Sequence, residues 1–547
     1  MLRIVVVVAL LCIIFPGPAS CVRLSTKSRW VVDEGSGSRV KLTCVNLVSH
    51  LEPMVTEGLD RQPLKYIANA IASRGFNCVR LTWATYMVTK PEYGNLTVAA
   101  SLRSLNLTDA VSRMSVSNPD LLGLPLLEAY KEVVRGLGDA NIMVILDNQV
   151  SKPQWCCGND GNAFFGDDYF DPQEWLQGLT IMASTFKDNP AVVGMSLRNE
   201  LRGPRSNPAD WYKYMQAGAK AVHAANPGVI VILSGLSYDT DLKFLASNPI
   251  SLTFTDKIMY ELHWYSFTGG DAWERSDVNV NRLCGSVTAR VNDHAAFVVR
   301  DGNNNFKAAP LFISEFGIDE RGTRVKDNRY VNCFLAFAAE GDFEWALWTL
   351  QGSYYLRNGR SDFEETFGIL KARWDEIRNP NFLARLKSIQ RPFQDPFSAE
   401  AGMYQMVYHP ASGLCLAASE DGNLKLDSCD SPSSFTYKPS AGALGVSEKS
   451  MCISAQGDGM AAVLSTQCTH QNYTWQVVSD SKLQIAVTVP TSSVNGTAGQ
   501  MQLCLDGKSS PQVLTNQCLC VADSNCAKTE DVQMQWFKVV QSNRKRT

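Results

Sequence analysis

Between residues 40 and 350, short apolar runs recur along the chain, each bounded by charged or turn-forming residues. They are Val40–Val45, Cys78–Leu81, Ile142–Leu146, Val192–Leu197, Val229–Leu233, Ile258–Leu262, Leu311–Ser314 and Trp345–Leu347. Most are unbroken rather than alternating, as in parallel strands covered on both faces. Helical periodicity fills the intervals. Leu64–Arg74 runs up to Gly75, Leu126–Arg135 lies between Pro125 and Gly136, and Asp210–Ala225 stops before Asn226-Pro227-Gly228. Eight such strands with intervening helices predict an α/β fold, a (β/α)8 TIM barrel, with a doubly wound open sheet as the other arrangement. The long interval between the second and third strands reads as an elaborated loop over one rim.

The pattern changes around KSIQRPFQDPFSAEAG (residues 387–402). We place the barrel at 21–390, a linker at 391–402 and a second region at 403–542. In that region a weak threefold repeat replaces helix periodicity: GLCLAAS with SCD, SMCISAQ with TQCTHQNYTW, and QLCLDGK with NQCLCVADSNC and VQMQWF. Each copy has an apolar-Cys-apolar strand followed by a second cysteine, so pairing within copies is economical: Cys415–Cys429, Cys452–Cys468 and Cys504–Cys518, with Cys520–Cys526 as an extra. Three short-strand repeats predict an all-β, β-trefoil-like domain. The region resembles the ricin-B-type lectin domain, through Tyr473-Thr474-Trp475 and Gln533-Met534-Gln535-Trp536. That resemblance implies a sugar ligand, for which Asp421 and Asp506 are the acidic candidates; the other role open to the region is structural docking.

Composition narrows the setting. The chain has 547 residues, 45% hydrophobic and 19% charged, with a net charge of -3. That balance gives no electrostatic case for nucleic acid or an anionic membrane. Residues 1–20, with the run Ile4–Phe15 followed by Pro16-Gly17-Pro18, have the shape of a cleaved signal peptide, so a secreted, extracellular protein is expected, with no membrane span after cleavage. Sixteen cysteines fit an oxidising compartment, where Asn95, Asn106, Asn472 and Asn495 are glycosylation acceptors. Cys156 and Cys157 are adjacent, which suits neither a zinc site nor an easy mutual disulfide. No metal or other cofactor is expected.

Barrel enzymes assemble their chemistry where strands end. Here the predicted strands end in Arg80 (second), Asp147-Asn148-Gln149 (third), Asn199-Glu200 (fourth), His263-Trp264-Tyr265 (sixth), Glu315 (seventh) and Trp348 (eighth). Two carboxylates facing one another across a barrel mouth are what glycoside hydrolysis needs, one protonated to donate and one ionised to attack. An arginine beside Glu315 favours its charged form, whereas Glu200 needs a raised pKa.

The set VRLTW, LRNE, HWY, SEFG and LWTLQGSYY resembles glycoside hydrolase family 5, the cellulase family, over residues 28–390. The whole chain looks like its secreted plant branch with a ricin-B-like C-terminal domain, which places it in the cell wall or apoplast. The resemblance implies a retaining mechanism on a β-linked glycan, with Glu200 as acid/base and Glu315 as nucleophile. Arg80, Asn199, His263, Tyr265 and Trp348 would bind the reacting sugar. Two positions depart from the family's pattern. Gln149 stands where a histidine is usual, and Leu47 where an aromatic is usual, with His50 placed to compensate in part. Those departures leave a carbohydrate-binding protein with a weakened barrel site as another reading, and a transglycosidase, which uses the same two carboxylates, is a third.

Overall fold

The computed structural model describes residues 23–544, apart from short stretches that fall mostly after residue 397. The expected signal segment and the acceptors Asn472 and Asn495 lie outside the described residues, whereas Asn95 and Asn106 are both exposed.

Eight parallel strands close into a barrel: β1 (Thr43–Leu47), β2 (Cys78–Ala84), β3 (Met143–Val150), β4 (Val192–Ser196), β5 (Ile230–Leu233), β6 (Ile258–His263), β7 (Leu311–Phe316) and β8 (Glu344–Leu347), with β8 paired to both β7 and β1. Closure excludes the open sheet. Outward side chains such as Val45, Leu81 and Ile313 join the core under the helices. Inward ones form two layers of opposite character. The lower layer is apolar, with Cys44, Ile145, Ile232, Met259 and Phe312, and Leu24 and Val31 of an N-terminal antiparallel pair seal it from below. The upper layer is polar: Asn46, Arg80, Asp147, Ser196 and Glu261 are all buried.

That polar layer moves the strand ends. β2 was expected to stop at Arg80 and β3 at Leu146, but both continue, to Ala84 and Val150. Thr82, Asp147 and Gln149 interrupt the apolar runs because they point into the barrel, where the partners are polar. Arg80 is therefore a mid-strand residue.

The long interval after β2 is helical, with short helices between Tyr86 and Leu121, followed by α2. The main helices are α1 (Leu64–Ser73), α2 (Leu126–Asp139), α3 (Pro172–Thr185), α4 (Pro208–Ala225), α5 (Val280–His294), α6 (Val325–Gly341) and α7 (Pro380–Gln390). Gly136, expected to end α2, lies inside it. A Cβ there would come within 2.7 Å of Leu64 Cδ2, so this glycine serves close packing on α1 rather than termination.

After α7 the chain is predominantly β from Tyr404 to Ser542, with a short helix at Thr529–Met534, around a core that includes Leu416, Ile453, Trp475, Leu503 and Phe537. Each cysteine-bearing strand pairs with a strand shortly after it: Leu414–Ala418 with Leu424–Asp427, Met451–Ser454 with Val463–Ser465, and Gly499–Asp506 with Leu514–Gln517. Disulfides join Cys415–Cys429, Cys452–Cys468, Cys504–Cys518 and Cys520–Cys526. Cys44–Cys78 ties β1 to β2, and Cys284–Cys333 ties α5 to α6. Cys156 and Cys157 are also bonded to each other, which corrects the expectation that neighbouring cysteines would not pair.

The β region is seated on α5 and α6. Asn281 is 1% exposed, and its amide is saturated across the joint. Its Oδ1 accepts from Trp536 Nε1 at 2.8 Å and from Ser481 Oγ at 2.8 Å, while Nδ2 donates to Gln484 Oε1 at 2.8 Å and Cys520 O at 3.1 Å. Nearby, Gln533 exchanges hydrogen bonds with Asn332 Nδ2 and the Arg329 carbonyl, both at 2.8 Å. Replacing Asn281 by Leu strands several buried polar groups at once. We expect a loss of about 3 kcal/mol, read as a lower urea midpoint. A loss below about 0.5 kcal/mol, the range of ordinary surface substitutions, would show that the joint is not tightly formed.

Candidate active site

The centre of the site is one guanidinium. Arg80 is fully buried, and Nη1 donates to Glu315 Oε1 at 2.9 Å and Asn46 Oδ1 at 3.0 Å. Nη2 donates to Asp147 Oδ1 at 2.8 Å and Asn199 Oδ1 at 3.0 Å, with Glu261 Oε2 at 3.8 Å. These acidic neighbours hold Arg80 above its ordinary pKa although burial opposes its charge. Because a guanidinium only donates, both asparagines must turn their oxygens toward it. Asn46 then donates to the Ser314 carbonyl at 3.0 Å, and Asn199 turns its NH2 toward the sulfurs of Cys156 and Cys157, each 3.6 Å away.

Glu315 reaches this centre through a register shift. Inward positions on β7 fall at Phe312 and Ser314, so strict alternation would turn Glu315 outward. Both neighbouring strands skip Ser314, pairing Leu262 with Ile313 then His263 with Glu315, and Trp345 with Ile313 then Leu347 with Phe316. This bulge re-aims Glu315 into the mouth. Its second oxygen, Oε2, accepts from Tyr265 Oη at 2.9 Å.

Glu200 follows β4 at φ +46°, an uncommon conformation for a non-glycine residue. Three contacts hold it there. Its N–H donates to Asp239 Oδ2 at 2.9 Å, its carbonyl accepts from Arg202 Nη1 at 3.0 Å, and Oε1 lies 2.8 Å from His263 Nδ1. Burial pushes its carboxyl up to about 7, against the opposing pull of Arg202 and Arg80. Burial likewise lowers His263 to about 4, so that ring is neutral near pH 7. The imidazole stands between the carboxylates, with Nδ1 also 3.7 Å from Glu315 Oε2. Glu200, His263 and Glu315 each bring one ligand-type atom within 4.8 Å of the others, so the two carboxyl groups approach to that distance or less.

These groups line a cavity of about 660 Å³ at the C-terminal end of the barrel, together with Trp348, Gln149 and His50. His50 donates to or accepts from Thr82 Oγ1 at 2.8 Å through Nδ1. Its Nε2 and Gln149 Oε1 are buried without a partner among the described residues, both on the cavity wall. Leu47 instead packs outward into the core beneath the helices. Glu200, Glu315, His263, Tyr265, Trp348, Gln149 and His50 thus line one cavity, with Arg80 buried against Glu315 and Asn199 against the two cysteine sulfurs.

Several participants were not read from the sequence. Asp239 lies after β5 in the third of three successive left-handed residues, Ser237, Tyr238 and Asp239, at φ 55°, 62° and 57°. Burial, then Glu261, raises its pKa well above the usual carboxylate range, favouring the neutral acid. Nothing in SGLSYDTD signals that turn. Asn46 and Glu261 did leave a signal, as single polar residues inside apolar strands. In the β region, Asp506 is spent internally: Oδ2 accepts from Asn516 Nδ2 at 3.0 Å and Gln535 Nε2 at 3.2 Å.

Residues 37–353 match the family model for cellulase, glycosyl hydrolase family 5. A glycosyl hydrolase 5 family protein of Chamaecyparis obtusa is 48% identical across 98% of this chain and 96% of its own length. The major extracellular endoglucanase of Xanthomonas campestris is 24% identical across 66% of this chain and 70% of its own. The solved catalytic domain of an endoglucanase from that species superposes with a TM-score of 0.54 at 21% identity, over 67% of this chain and 99% of that one. A Pyrococcus horikoshii endocellulase solved with cellotetraose superposes with a TM-score of 0.54 at 18% identity, over 68% and 99%. Taken with the paired carboxylates at the mouth of a closed eight-stranded barrel, the full-length match shows that this chain belongs to glycoside hydrolase family 5, enzymes that hydrolyse glycosidic bonds.

Proposed function

We propose that the protein is a secreted, retaining β-glycosidase acting on a β-linked glucan or related glycan, with Glu200 as acid/base and Glu315 as nucleophile. The observation that carries this reading is the approach of the two carboxyl groups to within 4.8 Å. Retaining enzymes hold them about 5–5.5 Å apart, whereas inverting enzymes leave about 6.5–9.5 Å for a water. The relatives described as endoglucanases, and the cellotetraose bound by the Pyrococcus enzyme, support a glucan substrate.

The chain's own groups then divide the work. Arg80 and Tyr265 orient one lone pair on each Glu315 oxygen, so that the carboxylate faces the anomeric carbon. Glu200, held protonated up to about pH 7, gives its proton to the leaving oxygen as the Glu315 ester forms. Esterification removes the neighbouring negative charge, which favours ionised Glu200 and fits it to take a proton from the incoming water. Asn199, its oxygen held by Arg80, is left with N–H groups for the sugar 2-hydroxyl. Trp348 supplies an aromatic wall for the ring.

Glu315→Ala should lower turnover of an activated aryl β-glycoside by about a thousandfold or more, as removal of a nucleophile does. Added azide, attacking from the vacated face, should restore part of it and give a glycosyl azide of inverted configuration. Wild-type rates in that variant would remove Glu315 from the role. The raised Glu200 pKa also fixes a sign: the acid is present below about pH 7, so kcat/KM should fall on the alkaline side of that value. Glu200→Gln should flatten that limb for substrates whose leaving group needs no proton. A limb unchanged in the variant would assign it to another residue.

A further inference from the structure

The Cys156–Cys157 disulfide closes no loop, because its cysteines are one residue apart. The chain-closure effect by which disulfides ordinarily stabilise a fold is therefore negligible here. The other six described bridges join separate strands, helices or turns, with sequence separations from 6 to 49. The vicinal pair also does not hold its own loop in place. Arg198, buried, donates to Asn148 Oδ1, Ser151 Oγ and the Asn162 carbonyl. Arg202 reaches the Gly158 carbonyl at 3.2 Å and Asp160 Oδ2 at 2.6 Å. Those two arginines flank Asn199-Glu200 and clamp the loop to the end of β4 from both sides of the cysteines.

What the bond does have is a position in the cavity. Both cysteines line it, beside Glu200, Gln149 and Trp155. Each sulfur is 3.6 Å from Asn199 Nδ2, and Cys156 Sγ is 3.9 Å from Gln149 Nε2. A sulfur of each cysteine lies within 4.8 Å of a Glu200 carboxyl oxygen. Sulfur accepts hydrogen bonds weakly, so the Asn199 amide is kept in orientation without being tied up. A disulfide also carries no proton and no charge, and so it offers Glu200 no competing hydrogen-bond donor. On the same wall, Gln149 Oε1 and His50 Nε2 stand buried and unpartnered among the described residues, ready to meet hydroxyls.

We propose that the Cys156–Cys157 disulfide is a working surface of the catalytic pocket, against which the sugar at the scissile bond packs, and that a dithiol reductant which opens it disables the site. The inference rests on the glycosidase reading. In the exchange the dithiol loses two electrons and two protons and becomes a disulfide. The Sγ–Sγ bond accepts them and becomes two thiols, which rotate apart beside Glu200 and Asn199. Burial by the intact bond fits the raised pKa of the acid; two donors in its place favour the carboxylate.

The test uses the full-length protein and the aryl β-glycoside that the wild type turns over best. In Cys156→Ser/Cys157→Ser we expect KM to rise about tenfold and the alkaline limb of kcat/KM to move about one unit toward acid, while the melting temperature stays within a few degrees. Unchanged KM and an unchanged pH profile would overturn the proposal, whatever the melting temperature does. Should the double variant fail to fold, native wild-type protein is treated briefly with dithiothreitol, alkylated with excess iodoacetamide and mapped by peptide mass. Loss of turnover should track labelling of Cys156 and Cys157, and reoxidation before alkylation should restore it. The exposed Cys468 serves as the control, since labelling there should not matter. Full activity with both vicinal cysteines labelled would overturn the proposal. Absence of wild-type turnover on every β-glycoside would instead defeat the glycosidase reading, and this inference with it.

Discussion

A single buried cation organises this barrel. Arg80 sits without solvent among Glu315, Asp147 and Glu261, and two asparagine oxygens accept its remaining Nη donors, while Nε–H has no partner among the described residues. Taking a guanidinium out of water costs several kcal/mol, which is offset only where geometry and hydrogen bonding are both good. Here four of the five N–H groups meet acceptors, and the arrangement does more than balance charge. It orients Glu315, turns the Asn199 NH2 toward the Cys156 and Cys157 sulfurs, and leaves Asp147 pushed up to about 8 by burial, with Glu261 and Glu315 adding to the rise against the pull of Arg80. Removing that cation would leave several acids facing one another in a dry interior. The network therefore carries the site's stability and its chemistry together.

The same layer explains what could be read in the sequence. The apolar lower halves of the strands stand out as unbroken runs, and all eight predicted strands are present in the barrel. Their upper halves were cut short because Thr82, Asp147 and Gln149 break the apolar pattern exactly where the barrel becomes polar inside. The residues at the mouth were legible as polar letters following apolar runs. Their geometry was not. Glu315 faces inward because of a bulge at Ser314, and Glu200 is held in a left-handed conformation by Asp239 from a turn that contains no glycine. Both are tertiary effects without a local signature. The adjacent cysteines were legible only as a pair; their bond, and its place on the cavity wall, depend on how Arg198 and Arg202 fold the loop.

The C-terminal region shows how a motif can be put to structural use. Trp536 and Gln533, read as a lectin signature, spend their polar atoms on Asn281, Asn332 and the Arg329 carbonyl of the barrel. Asp506 serves Asn516 and Gln535 of its own region. These contacts support a docking role for this face. They also buttress α5 and α6, the helices packed outside the strands that carry His263 and Glu315.

In the proposed mechanism Arg80 and Tyr265 set Glu315, rather than Glu200, as the group that bonds to sugar. That role is tested most directly by incubating the protein with a 2-deoxy-2-fluoro aryl β-glycoside, whose glycosyl-enzyme ester is slow to hydrolyse, and locating the adduct by peptide mass. One sugar per chain is expected, on the peptide containing Glu315. An adduct on Glu200, or cleavage of the reagent with no adduct and an inverted product, would contradict it.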